Sequence, residues 1–216
     1  MSRISSQLGA LIARLRLAGL KNGKRDADRI RSLAARREPD RDRWGNPESY
    51  GGDHWDDRAR QAARLIPDGA RVLEIGVGKG TFRDLVKGRC HYTGADLNPL
   101  HGDSLVIDID SDPLPPGPFD CIVLLGVIEY LHNLDAVTAK LREGAPGLLM
   151  SYCALPDASR PDAVMAARLE RGWVNHMTVP EFRERFGRAP FRLTAEEHYK
   201  TPGLISDQRI FRFDRS

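Results

Sequence analysis

RVLEIGVGKGTF, residues Arg71 to Phe82, passes from an apolar run into alternating glycines. Such a run reads as a buried strand closing on a tight turn, with a helix to follow. Upstream, residues Arg58–Ile66 carry a helical pattern that stops at Pro67, Asp68 and Gly69. Downstream, a helix near Thr81–Lys87 precedes expected strands at His91–Ala95, Leu105–Ile107 and Phe119–Leu125. The last of these is nearly all apolar, as a parallel strand covered on both faces should be. A helix over Leu134–Glu143 and a strand over Gly147–Cys153 continue the alternation. After an irregular segment, a helix at Val179–Phe186 and strands at Phe191–His198 and Arg209–Phe213 close the chain. The order predicts an α/β fold: a Rossmann-like, seven-stranded, mostly parallel sheet with helices on both faces.

The glycine turn admits several ligand classes, and its departures from two of them are informative. A phosphate loop needs GxxxxGK[ST], but Gly80 follows Lys79, and Leu73 stands where the first glycine belongs. The dinucleotide fingerprint GxGxxG needs a small residue at 81, where Thr81 stands. Glu74 sits two residues before the first glycine, at the strand end where ligands bind in open α/β sheets. A carboxylate there is poorly matched to a pyrophosphate and well matched to a cationic amino group. S-adenosylmethionine carries such a group and a cationic sulfonium, and glycines allow the backbone to approach it closely.

With VLEIGVGKG, TGADLNP, Asp108-Ile109 and PFDCIVLLGVIEYLHN in this order, the chain resembles the class I S-adenosylmethionine-dependent methyltransferases over about residues 50–213. It is similar to the small-molecule groups known as methyltransferase types 11 and 12. The resemblance implies a cofactor site of Glu74, Gly76, Val77, Gly78 and Gly80 from the first motif. It implies Asp96 and Leu97 at the ribose, Asp108 and Ile109 at the adenine, and Gly126 and Val127 after the fourth strand. Glu129 is implied as a support of the cofactor loop.

Methyl transfer from a sulfonium needs an aligned nucleophile and, for some acceptors, a base. Three places supply candidates. Tyr50, His54 and Trp55 precede the core fold, with packing at the domain edge as their alternative; Tyr152 lies on the fifth strand, with a core role as its alternative; and GWVNHM supplies Trp173, Asn175 and His176 from a loop. His176 is the first candidate for general base, because an imidazole titrates near neutrality. A helix cap before Val179 is its alternative role, and His132 is a weaker candidate base. The expected acceptor is an oxygen or nitrogen of a small-molecule or sugar-type metabolite.

Composition narrows the rest. Residues 1–44 hold 12 Lys/Arg against 5 Asp/Glu, and the remaining residues hold 21 against 25. We therefore expect a basic helical extension over 1–44 and a methyltransferase domain over 45–216. Residues Ile4, Leu8, Leu11, Ile12, Leu15 and Leu20 fall near helical spacing, and Lys24–Arg43 reads as a solvated helix and linker. A mildly acidic body argues against a nucleic-acid backbone as partner. DIDSDPLPPGPFD and WVNHMTVPEF also resemble the methyltransferase-like protein of bacterial methionine biosynthesis. The basic helix could then dock a protein partner or a second copy. Cys90, Cys121 and Cys153 lie far apart, which points to reduced thiols and no metal. No apolar run is long enough to span a bilayer, and no signal-peptide core is visible, so a cytoplasmic protein is expected. Arg outnumbers Lys 27 to 6, which suggests a bacterial source.

Overall fold

The computed structural model describes residues 24–50, 53–156 and 158–216. The expected amphipathic helix over residues 4–20 lies outside them. Helix α1 spans Lys24–Arg36 and α2 spans Arg41–Trp44, followed by a 3₁₀ turn at Pro47–Ser49 and helix α3 at Asp53–Arg64. The core alternation then runs β1 (Arg71–Ile75), α4 (Thr81–Val86), β2 (His91–Asp96), β3 (Leu105–Val106), β4 (Cys121–Leu125), a 3₁₀ turn (Ile128–Tyr130), α5 (Leu134–Gly144) and β5 (Gly147–Ala154). Helices α6 (Asp162–Leu169) and α7 (Val179–Phe186) lead to strands β6 (Phe191–His198) and β7 (Asp207–Arg215). The seven strands form one sheet in the order β3-β2-β1-β4-β5-β7-β6. All pairings from β3 to β5 are parallel, while β7 runs antiparallel to both β5 and β6.

Strand alternation divides the core between the two faces of the sheet. Leu73 and Ile75 of β1, Ile122 and Leu124 of β4, and Met150 and Tyr152 of β5 pack with Phe182, Phe186, Phe211 and Phe213. On the other face Val72, Val123, Leu125 and Leu149 meet Ala59 and Ala62 of α3 and Phe82 of α4. Glu74 shares the α3 face by the same alternation. Helix α7 begins with a capping box between Thr178 and Glu181, a pattern that satisfies two orphan N–H groups together.

Two segments differ from expectation. The stretch expected to be irregular before α7 contains α6, whose short DAVMAARL pattern follows Pro161. Lys24–Arg43 is a largely exposed helix and linker as expected, but it is not wholly solvated: Ile30 is buried, and Ile30, Leu33 and Ala34 line the cavity at the crevice. Among the described residues, no helix is long and apolar enough to cross a membrane.

Candidate active site

Parallel strands leave a crevice at their carboxyl ends, and here the β1 and β4 turns meet in it. Gly76 adopts φ +84°, and a Cβ on it would lie 2.4 Å from Val127 Cγ2. Any side chain would therefore both strain the backbone and force the two turns apart. Glu74, Gly76, Val77, Gly78, Asp96, Leu97, Asp108, Ile109, Gly126 and Val127 all line the resulting cavity. Gly80 stands just behind it, as the left-handed residue that opens α4.

The three acids occupy different environments. Glu74 is buried and accepts a 2.5 Å hydrogen bond from Tyr92 Oη. Burial pushes its carboxyl up to about 8, with the Tyr92 hydrogen bond acting in the opposite direction. Asp96, also buried, accepts from Gly78 N at 2.9 Å and from Asn98 N at 3.2 Å. Burial raises its pKa, and these backbone donors oppose the rise. Asp108 is more open and accepts from Arg41 Nη2 at 2.9 Å and from Asp110 N at 3.2 Å. Asp110 in turn accepts from the N–H groups of His132 and Asn133, tying this loop to the β4 turn.

Residues 24–50 form a strap over the crevice. Arg37 donates to His132 O, Arg43 donates to Arg171 O, and Asn98 Nδ2 donates to Arg41 O. Trp44 meets Tyr130 edge-on with centroids 4.8 Å apart, and Tyr50 donates its hydroxyl to Trp44 O. The Tyr50 ring lies against Gly78, and Trp55 packs edge-on against Tyr50. Trp44, Tyr50, Trp55 and Tyr130 thus give the cavity aromatic walls. Burial raises the phenol pKa of Tyr50 and of Tyr130, so both hydroxyls stay protonated at neutral pH.

Of the candidates, Tyr50, Trp55 and the weaker candidate base His132 line this cavity; His54, Tyr152, Trp173, Asn175 and His176 do not. Tyr152 faces α7 because strand alternation turns it there. It is buried, stacks on Phe182, donates to Asn175 O and accepts from Met177 N. Asn175 donates to the carbonyls of Ile128 and Leu131, and Trp173 Nε1 donates to Tyr130 Oη. These contacts brace the wall that Gly172 and Val174 present to the cavity. His54 packs edge-on against Trp55. His176 accepts from Arg168 Nε at Nδ1, and burial followed by the Arg168 charge pushes its pKa down to about 4. It is neutral at physiological pH and removed from the crevice, and Thr178, not His176, caps α7. His176→Gln should therefore leave kcat within about twofold. A hundredfold fall in kcat with unchanged folding stability would restore it as the base.

The strap was the part of the site that sequence reading missed. Its signal was present as Ile30, Leu33 and Ala34 at i, i+3 and i+4 within a run otherwise dominated by charge.

A methyltransferase-domain family model matches residues 49–196, more than half of the 216-residue chain. The chain belongs to this methyltransferase family. A comparison with curated proteins gives no match. Among solved structures, magnesium protoporphyrin IX methyltransferase from Synechocystis PCC 6803 with bound S-adenosylmethionine superposes with a TM-score of 0.57. It is 17% identical, and the match covers 88% of this chain and 97% of that one. A Burkholderia thailandensis didemethyltoxoflavin N1-methyltransferase gives 0.57 at 17% identity, covering 76% and 81%. A Mesorhizobium loti S-adenosylmethionine-dependent methyltransferase gives 0.57 at 16%, covering 74% and 98%. At these identities the likeness is one of fold.

This methyltransferase uses S-adenosylmethionine, and its crevice offers suitable donors and acceptors. A buried acid at the end of β1 suits the amino group, and a backbone-braced acid at the end of β2 suits hydroxyls. When bound, the cofactor supplies a methyl already activated by a sulfonium. The chain's residues must orient it, exclude water and present the acceptor.

Proposed function

We propose that this methyltransferase acts on an oxygen or nitrogen of a small molecule, a flat ring or a sugar-type metabolite with an apolar face. The observation that carries this reading is the aromatic enclosure by Trp44, Tyr50, Trp55 and Tyr130 beneath the strap. Aromatic walls stack flat or apolar faces well, which suits a small molecule in this enclosure. The likeness to a magnesium protoporphyrin IX methyltransferase and a didemethyltoxoflavin N1-methyltransferase supports the same reading.

In this reading Asp96 receives the ribose hydroxyls, Asp108 with Ile109 receives the adenine, and Glu74 faces the amino group. The strap then orders the acceptor beside the β4 turn, so alignment supplies much of the rate. The test is S-adenosylhomocysteine formation with panels of phenols, nitrogen heterocycles and amino sugars, beside an RNA panel. Turnover with one small-molecule class is expected. Turnover with RNA alone would overturn the proposal.

Glu74 gives a further expected result. Its carboxyl, raised to about 8 by burial, is mostly protonated at pH 7 in the free protein. A cationic amino group beside it favours the charged form. Binding should release a proton, and affinity for S-adenosylhomocysteine should rise between about pH 6 and pH 8. Calorimetry in buffers of different ionisation enthalpy measures the release, and Glu74→Gln should abolish it. Proton uptake on binding would contradict the placement.

A further inference from the structure

The strap brings a charged group to the aromatic enclosure. Arg43 lies on α2, is half-buried, and lines the cavity together with Trp44, Tyr130 and Gly172. Its Cζ stands 4.6 Å from the Trp44 ring centroid and 5.6 Å from that of Tyr130. Nη1 donates to Arg171 O at 2.7 Å, and a Cβ on Gly172, which adopts φ +77°, would lie 3.4 Å from that nitrogen. Two rings and a turn thus hold the guanidinium, while its Nε and Nη2 make no hydrogen bond among the described residues.

The charge of Arg43 has no counterpart. The acids around it have other partners: Glu38 pairs with Arg36, Asp40 with Arg29, and Asp108 with Arg41. Asp40 does meet Arg43, but through the backbone N–H at 3.1 Å. Asp110 accepts from the N–H groups of His132 and Asn133, and Lys79 of the cavity pairs with Asp56. Among the described residues, no carboxylate lies within ion-pair distance of the Arg43 guanidinium. Arg168 and Arg171 stand behind the same wall and donate to carbonyls, and Glu129, the buried acid on that side, accepts from Cys153 N.

A half-buried guanidinium without an anion is costly, and its planar fork matches a carboxylate bidentately. Rings that take the cation's face leave the edge of that fork open. We propose that the acceptor is a flat ring acid, whose carboxylate Arg43 holds while the aromatic walls take the ring. The inference rests on the reading of this cavity as a small-molecule acceptor site, and it narrows that reading from flat or sugar-type molecules to ring acids. Arg43 is then a specificity residue. A carboxylate paired with a guanidinium is a weakened nucleophile, so the methylated oxygen or nitrogen is another atom of the acceptor.

The experiment compares matched acids and primary amides: 4-hydroxybenzoate with 4-hydroxybenzamide, and anthranilate with anthranilamide. S-adenosylhomocysteine formation is measured with each, beside NMR titration of the same compounds into protein loaded with S-adenosylhomocysteine. Acids should exceed their amides by about tenfold or more in kcat/KM, and in affinity where turnover is not seen. Arg43→Gln should cut the acid-to-amide ratio by about tenfold, and Arg43→Lys, which keeps the charge without the fork, by less. Equal losses for acid and amide would mark Arg43 as a brace of the strap and overturn the assignment. Amides equal to acids in the unsubstituted protein would overturn it too, as would no carboxylate binding up to roughly 10 mM. So would a tenfold loss of S-adenosylhomocysteine affinity in Arg43→Gln, which gives the guanidinium to the cofactor, or a methyl ester as product. Turnover with RNA alone would instead remove the small-molecule reading and this inference with it, whereas equal turnover of acids and amides would leave that reading standing.

Discussion

Replacing Arg168 with leucine should destabilise the protein by about 3–5 kcal/mol, and thermal unfolding should fall by roughly 10 °C for a chain of this size. Arg168 is fully buried, and each branch of its guanidinium is used. Nε donates to His176 Nδ1 at 3.1 Å, Nη1 to Ile205 O at 2.8 Å, and Nη2 to Cys153 O at 2.8 Å and Asn175 O at 3.1 Å. The Trp173 ring lies 4.9 Å away. One side chain thus joins the end of β5, the segment that walls the crevice and the loop before β7. Leucine fills much of the volume yet leaves carbonyls in the interior without donors, which costs more than the bonds gained on average. Arg168→Lys should recover less than half of the loss, because a single ammonium cannot reach three diverging carbonyls. Urea unfolding of both variants measures this. A loss below about 1 kcal/mol for leucine would mean that water enters and satisfies the carbonyls.

Arg168 and the three crevice acids differ in how far the sequence reveals them. Glu74, Asp96 and Asp108 were legible as crevice residues because each stands at or just beyond the carboxyl end of a strand, and strand ends converge in this architecture. The seven strands were legible from their patterns, whereas the antiparallel direction of the closing pair came only with the structure. Trp173, Asn175 and His176 were equally visible as a cluster, and the cluster is real. What the sequence did not carry is its direction. Asn175 points at the carbonyls of Ile128 and Leu131, and His176 points at an arginine eight residues back, on a helix that an irregular-looking segment concealed. Tyr152 was placed on the correct strand, but register decides the face, and its face belongs to Phe182 and Phe211. Helix α1 was obscured differently: its many charges outweighed a three-residue apolar stripe that covers the crevice.

Asp96→Ala should weaken S-adenosylhomocysteine binding by about a hundredfold, close to 3 kcal/mol, the loss of charge-assisted hydrogen bonds to both ribose hydroxyls. The carboxylate is fixed before any ligand arrives: Gly78 N holds one oxygen and Asn98 N the other, at 2.9 and 3.2 Å. Each oxygen accepts about two hydrogen bonds, so backbone bracing leaves capacity on both for hydroxyl donors. Ordering cost is thereby met in folding and not in binding. The alanine variant also frees Gly78 N, so part of its effect could come from a loosened glycine loop. Asp96→Asn separates the two contributions, because its amide oxygen can still brace Gly78 while the second acceptor and the charge are gone. It should lose about tenfold. A ligand lacking the ribose hydroxyls gives the cross-check: a 2′,3′-dideoxy analogue should bind the unsubstituted protein weakly and lose little further in Asp96→Ala. If the dideoxy analogue instead loses as much as S-adenosylhomocysteine, Asp96 acts through Gly78 and the loop, and the ribose must be held elsewhere.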